Sequence, residues 1–216
     1  MALLQSNDIS IHEAGHVLVC YLMSDLIELN SVTVDKEFSK TIDRNSDGGL
    51  LYRYIIHPKL LHFLQLDQFC LLNLGGLAAD IVNDHNGKVR NEFFSTKEFI
   101  KKIEHYNYQG DMIAFNSHFA QIHRSLKVSP QYYNHNSITL LTNMFSNDDV
   151  LQNLLGIREI IADYKTVKGK ILKDFLDQSY FKEYKFYYWE KIKEARKELF
   201  NIEKINLFLN SISKKL

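Results

Sequence analysis

The chain has 216 residues, 45% hydrophobic and 24% charged, a balance that supports a packed core and excludes wholesale disorder. Lys plus Arg and Asp plus Glu both number 26, so no net field draws the chain to nucleic acid or an anionic membrane surface. Two cysteines are too few for a disulfide framework, no signal-like n-region opens the sequence, and no stretch approaches about eighteen uninterrupted apolar residues; the expectation is a cytoplasmic protein without a membrane span.

Residues 6–23 carry Ile9, Ile11, Val17, Leu18, Tyr21 and Leu22 among small residues, the pattern of a helix buried on most sides. Ser31-Val32-Thr33-Val34 and Gly49 to Ile56 are short β-branched or aromatic runs separated by the polar loop Asp35 to Gly48, and they predict paired strands. His57-Pro58 opens a second apolar helix to about Val82, closed by Asp84-His85-Asn86-Gly87. Gly75 and Gly76 lie inside it, each costing about 1 kcal/mol relative to alanine. They read either as a tolerated kink or as the seat of another backbone or a metal-site helix.

Residues 88–110 are mixed and polar, with a short helix predicted after Ser95-Thr96-Lys97-Glu98, which has capping-box spacing. Asp111 stands in the first turn of a strong helical pattern through Ile113, Phe115, Phe119, Ile122 and Leu126. Beyond Pro130, the segments Ser137 to Phe145, Val150 to Leu176 and Trp189 to Leu209 read as helices, the last with alternating Lys and Glu that mark a solvated face. The aromatic cluster Tyr180 to Trp189 reads as packing between C-terminal helices. The predicted fold is mainly α with a small β-sheet, one domain over residues 1–216. Its core occupies about residues 1–127, and a helical region follows from about residue 128.

His12-Glu13-Ala14-Gly15-His16 puts two histidines at i and i+4 on one helical face, where both imidazoles can share a metal ion. Glu13 stands beside the first of them and can take a proton from water without being a ligand itself. The other seven histidines, His57, His62, His85, His105, His118, His123 and His135, lack such spacing and read as surface or structural residues. Asp80 reads either as an acceptor for the second ring N–H of a metal-bound histidine or as a solvated helix residue. On residues alone, Asp111 is a carboxylate that a helix N-terminus keeps ionised, which permits a ligand role and equally a capping one.

The order of these landmarks resembles the peptidase domain of the FtsH-type ATP-dependent zinc proteases. His12 to Met23, HEAGHVLVCYLM, is similar to that family's zinc-binding helix, and Leu74 to Ile81 resembles its LLGGRAAEEI helix. Ser31 to Val34 and Gly48 to Leu51 resemble its strand and glycine-led edge strand, and Gly110 to Ala114 resembles the segment carrying its third zinc ligand. The resemblance covers about residues 8–125. It implies a zincin-like HExxH helix, Zn²⁺ held by His12, His16 and Asp111, Glu13 as catalytic base, and Asp80 behind a zinc-bound histidine. It further implies a metalloendopeptidase acting on flexible polypeptides laid along the edge strand near Gly49 to Tyr54.

The chain also departs from the family. The arginine after the glycine pair is Leu77, the paired glutamates are represented by Asp80 alone, and no Walker-type phosphate loop is present. A partner ATPase would therefore be a separate chain, and oligomerisation is left open. The alternative expectation is a non-catalytic zinc module derived from this family that binds another protein through its C-terminal helices. Retention of Glu13 favours the enzyme, because a structural site has no use for a base there.

Overall fold

The computed structural model describes residues 9–37, 48–56, 63–104, 109–126 and 130–200. The architecture is mainly helical with one small three-stranded antiparallel sheet, as the sequence predicts.

Helix α1 (Ile9–Leu22) is the centre: every residue from Ser10 to Leu22 is buried, so no polar face had to be reserved for water. Helix α2 (Phe63–Asp84) crosses α1 closely. A Cβ at Gly15 would overlap the Gly75 carbonyl, and one at Gly75 would lie 2.9 Å from the Gly15 oxygen. Of the two readings of the glycine pair, close backbone approach is the observed one. Helix α2 ends where expected, with Asn86 and Gly87 at φ of 52° and 82° turning the chain out of the helix. Its expected start at His57-Pro58 lies outside the described residues, as do most of the loop Asp35 to Gly48 and the end of the last helix beyond residue 200.

Strand β1 (Ile27–Thr33) pairs with β2 (Gly49–Tyr54), from Ile27 opposite Tyr54 to Thr33 opposite Gly49, with a register shift between Leu29 and Ser31. It begins four residues before the predicted Ser31, because Ile27 is buried against the core while Glu28 points outward. The sheet order β2-β1-β3 includes a strand that the sequence reading missed, β3 (Thr166–Lys168), with Val167 paired to Val32. The predicted continuous helix Val150 to Leu176 is thus corrected to α6 (Asp148–Tyr164), β3 and α7 (Gly169–Gln178). Lys165 at φ 59° breaks the helix, Thr166 donates to or accepts from Thr33 across the sheet at 2.8 Å, and Gly169 lies against the Leu29 backbone where no Cβ would fit.

Between α2 and α6 lie a 3-10 turn (Asn91–Ser95) and helices α3 (Lys97–Glu104), α4 (Gln109–Leu126) and α5 (Pro130–Phe145). The cap of α3 is Thr96, whose hydroxyl accepts from the Phe99 N–H at 3.1 Å, one residue later than the predicted box. Helix α5 starts at Pro130 and the last helix, α8 (Phe181–Phe200), at Phe181, both earlier than predicted.

Helix α6 packs on α1, α4 and α5 pack on α2, and α7 lies against β1. The charged run on α8 is largely solvated, with exposed pairs Lys191 to Glu194 and Lys193 to Glu190, except for Arg196. That guanidinium is buried, holds Asp67 of α2 through Nε and Nη2, and stacks over the Tyr133 ring of α5. The aromatic cluster divides: Phe181 and Trp189 are buried as predicted, whereas Tyr180, Phe186 and Tyr187 face outward. Among the described residues no helix is long and apolar enough to cross a membrane.

Candidate metal centre

Helical periodicity brings His12 and His16 to the side of α1 that faces α2. There a stripe at four-residue spacing receives them: Leu72, Gly76 and Asp80. His16 donates Nδ1–H to the Leu72 carbonyl at 2.6 Å, and His12 donates Nδ1–H to Asp80 Oδ2 at 2.9 Å. Between these anchors Gly76 supplies space, because a Cβ there would overlap the His12 ring.

With both Nδ1 atoms committed as donors, both Nε2 atoms are left as lone pairs, and they point to one place. They are 3.1 Å apart, and Asp111 Oδ2, from the first turn of α4, is 3.1 Å from each. Three acceptors at mutual contact repel unless a cation lies among them. His12, His16 and Asp111 therefore form a group able to hold a metal ion. The side chain of Asp111 is 26% exposed while those of both histidines are buried, so the group opens to solvent on the Asp111 side.

The electrostatics describe the same demand for positive charge. Burial disfavours a charged His12, but hydrogen bonds to Asp111 and Asp80 outweigh it and raise its pKa to about 10. Burial likewise opposes charge on His16, and the Asp111 carboxylate overrides it and shifts the pKa upward. Burial would raise Asp111, yet the two histidines hold it below the usual carboxylate range. Protons on the histidines supply that charge where no metal ion does.

Glu13 points to the sheet side of α1. It is buried, and its Oε2 has no hydrogen-bond partner among the described residues, an expensive arrangement for a carboxylate. Burial lifts its pKa from 4.5 to about 7 against the lowering effect of the two histidines. Its other oxygen lies against Gly48, where a Cβ would come within 2.7 Å of Oε1.

Of the five residues singled out in the sequence, His12, His16, Asp80 and Asp111 meet one another, Asp80 bonding to His12 rather than to water, while Glu13, on the same helix, lies buried beside Gly48. Among the described histidines, His85 packs edge-on to Phe93, His135 donates to the Phe94 carbonyl, and His118 stacks on Phe69. None of these joins the group. His57, His62 and His105 lie outside the described residues. Sequence reasoning missed Leu72, which acts through its backbone, and the service of Gly76 and Gly48 to neighbouring side chains. The spacing of Leu72, Gly76 and Asp80 matches the four-residue spacing of the histidines and is the signal that could have found the first two. Compared with known proteins, the chain matches no protein-family model and no curated protein sequence.

Proposed function

We propose that this chain is a zinc metallopeptidase of the FtsH type, hydrolysing peptide bonds in flexible polypeptides, with His12, His16 and Asp111 as ligands and Glu13 as general base. The observation that carries this reading is the triangle of two Nε2 atoms and one carboxylate oxygen, 3.1 Å on every side. A tetrahedral zinc ion with bonds of about 2.0–2.1 Å sets its ligand atoms about 3.3 Å apart, and three protein ligands leave a fourth position for reaction. Magnesium and calcium call for oxygen donors. Two histidines and a carboxylate also serve iron(II), but a buried carboxylate adjacent in sequence to the first ligand, with one oxygen unsatisfied among the described residues, favours hydrolysis over oxygen chemistry.

A bound zinc ion supplies Lewis acidity toward a carbonyl oxygen and toward water. The remaining work falls to the chain. Asp80 and the Leu72 carbonyl fix both imidazoles as Nε2 ligands. Glu13, with its pKa near neutrality, accepts the proton of the attacking water at its carboxylate and returns it to the leaving amine. Strand β2, at one edge of the sheet, offers backbone groups to an extended polypeptide. Cys20 and Cys70, both buried free thiols, suit a reducing cytoplasmic setting.

The test is metal quantification on the purified full chain together with cleavage of casein or unstructured peptides. About one zinc per chain is expected, as is cleavage that a chelator abolishes and added zinc restores. Stoichiometric zinc without cleavage would favour the non-catalytic module, and bound iron in place of zinc would overturn the assignment.

A further inference from the structure

We infer that Gly48, at the head of edge strand β2, is a positioning residue for the Glu13 carboxylate: its missing side chain sets where that carboxylate rests. The inference rests on the reading of Glu13 as general base.

Four observations support it. Gly48 is buried, so a side chain there would have to find room among packed neighbours. A Cβ there would lie 2.7 Å from Glu13 Oε1, 2.9 Å from Ile9 Cγ2 and 3.1 Å from the Thr33 carbonyl. The next residue, Gly49, is held opposite Thr33 in the β1 ladder, so the backbone at Gly48 has little freedom to retreat. A Cβ at Gly49, by contrast, would meet nothing within 4 Å among the described residues.

These contacts differ in how readily they give way. Thr33 is backbone in a paired strand and Ile9 Cγ2 is a branched methyl on the first residue of α1, whereas Glu13 Oε1 is the far end of a three-torsion side chain. A methyl at Gly48 therefore displaces the carboxylate before it displaces the fold. The other carboxylate oxygen, Oε2, has no hydrogen bond among the described residues to hold the group in place. Among the described residues, the Gly48 backbone is what Glu13 Oε1 packs against. Proton transfer demands heavy-atom separations of about 2.6–3.2 Å, so a displacement of an ångström is enough to impair it.

The experiment compares Gly48→Ala with Lys193→Ala, a change on the exposed face of α8, in the zinc-loaded full chain. Both are expected to keep one zinc per chain. Gly48→Ala should lose about tenfold or more in kcat with KM little changed, and Lys193→Ala should stay within about twofold of wild type. A second readout needs no activity: thermal unfolding of Gly48→Ala in the wild-type and Glu13→Ala backgrounds. The cost of Gly48→Ala, a shift of a few degrees, should shrink when the Glu13 side chain is removed. An equal cost in both backgrounds, or equal kinetics for the Gly48 and Lys193 variants, would overturn the inference. If zinc-loaded wild type cleaves nothing, the peptidase reading fails by itself and the unfolding comparison alone decides the role of Gly48.

Discussion

Gly76 and Gly75 are neighbours in one helix, yet substitution of each should fail differently. The atoms nearest a methyl at Gly76 all belong to the His12 ring, so Gly76→Ala is expected to weaken metal binding by about tenfold or more while the chain stays folded, because groups that orient a ligand carry effects of that size. A methyl at Gly75 or Gly15 meets the backbone of the facing helix; either substitution to alanine should cost about 1–3 kcal/mol or more of stability. Competition with a zinc chelator and urea unfolding measure the two effects separately, and a stable Gly15→Ala would contradict the close crossing. Ligands are distinguished in the same way. Asp111→Ala should strip the metal, whereas His118→Ala, which removes a ring stacked on Phe69, should cost stability and leave metal content unchanged.

Among the elements, the helix α8 is tied to the metal-site scaffold by a buried cluster on α2 and α5, besides the packing of its Phe181 on Tyr21 of α1. Arg196 of α8 grips Asp67 of α2, Tyr133 of α5 donates its hydroxyl to the same carboxylate, and Asn136 accepts from Arg196 Nη1 at 3.0 Å. Removing one partner leaves a buried charge unopposed, so Arg196→Ala should destabilise the protein by about 3–5 kcal/mol, while Lys193→Ala on the exposed face should change it by under about 1 kcal/mol. Chemical denaturation of both variants checks this, and equal small effects would contradict the cluster's role. The sequence could not disclose Arg196, since it stands in a Lys and Glu run in which Lys191, Lys193, Glu194 and Lys197 do face water. It did disclose α1, β2, the end of α2 and the first turn of α4, because buried periodicity, glycine and helix-end chemistry act locally. Strand β3 was hidden for the opposite reason. Thr166, Val167 and Lys168 form a strand only by pairing with Ser31, Val32 and Thr33, more than a hundred residues away, and that pairing overrides the helical pattern on either side.

Over the whole molecule, the candidate site was legible where its proposed ligands share a helix and illegible where they do not. His12, Glu13 and His16 announce themselves by spacing; Asp111, 95 residues beyond His16, is brought in by the packing of α4 on α2, which no local pattern records. The assembled centre also makes stability depend on pH. Without metal, Glu13 and both histidines hold protons more tightly than in the unfolded chain. The folded state thus binds more protons, and stability falls as pH rises, through 4.5 to about 7 for Glu13 and through 6.5 to about 10 for His12. Metal takes the place of the histidine protons, so its affinity should rise over that range. Thermal unfolding at about pH 6 and about pH 9 should show the chelated protein losing stability and the gap to the zinc-loaded protein widening. A gap that narrows toward high pH would contradict these proton affinities. The central claim, a zinc centre served by a general base, is tested most directly by zinc content and peptide hydrolysis measured in parallel on wild type and Glu13→Gln. The account predicts about one zinc per chain in both and hydrolysis reduced by about 10² or more in the variant; equal hydrolysis by the two proteins would contradict it.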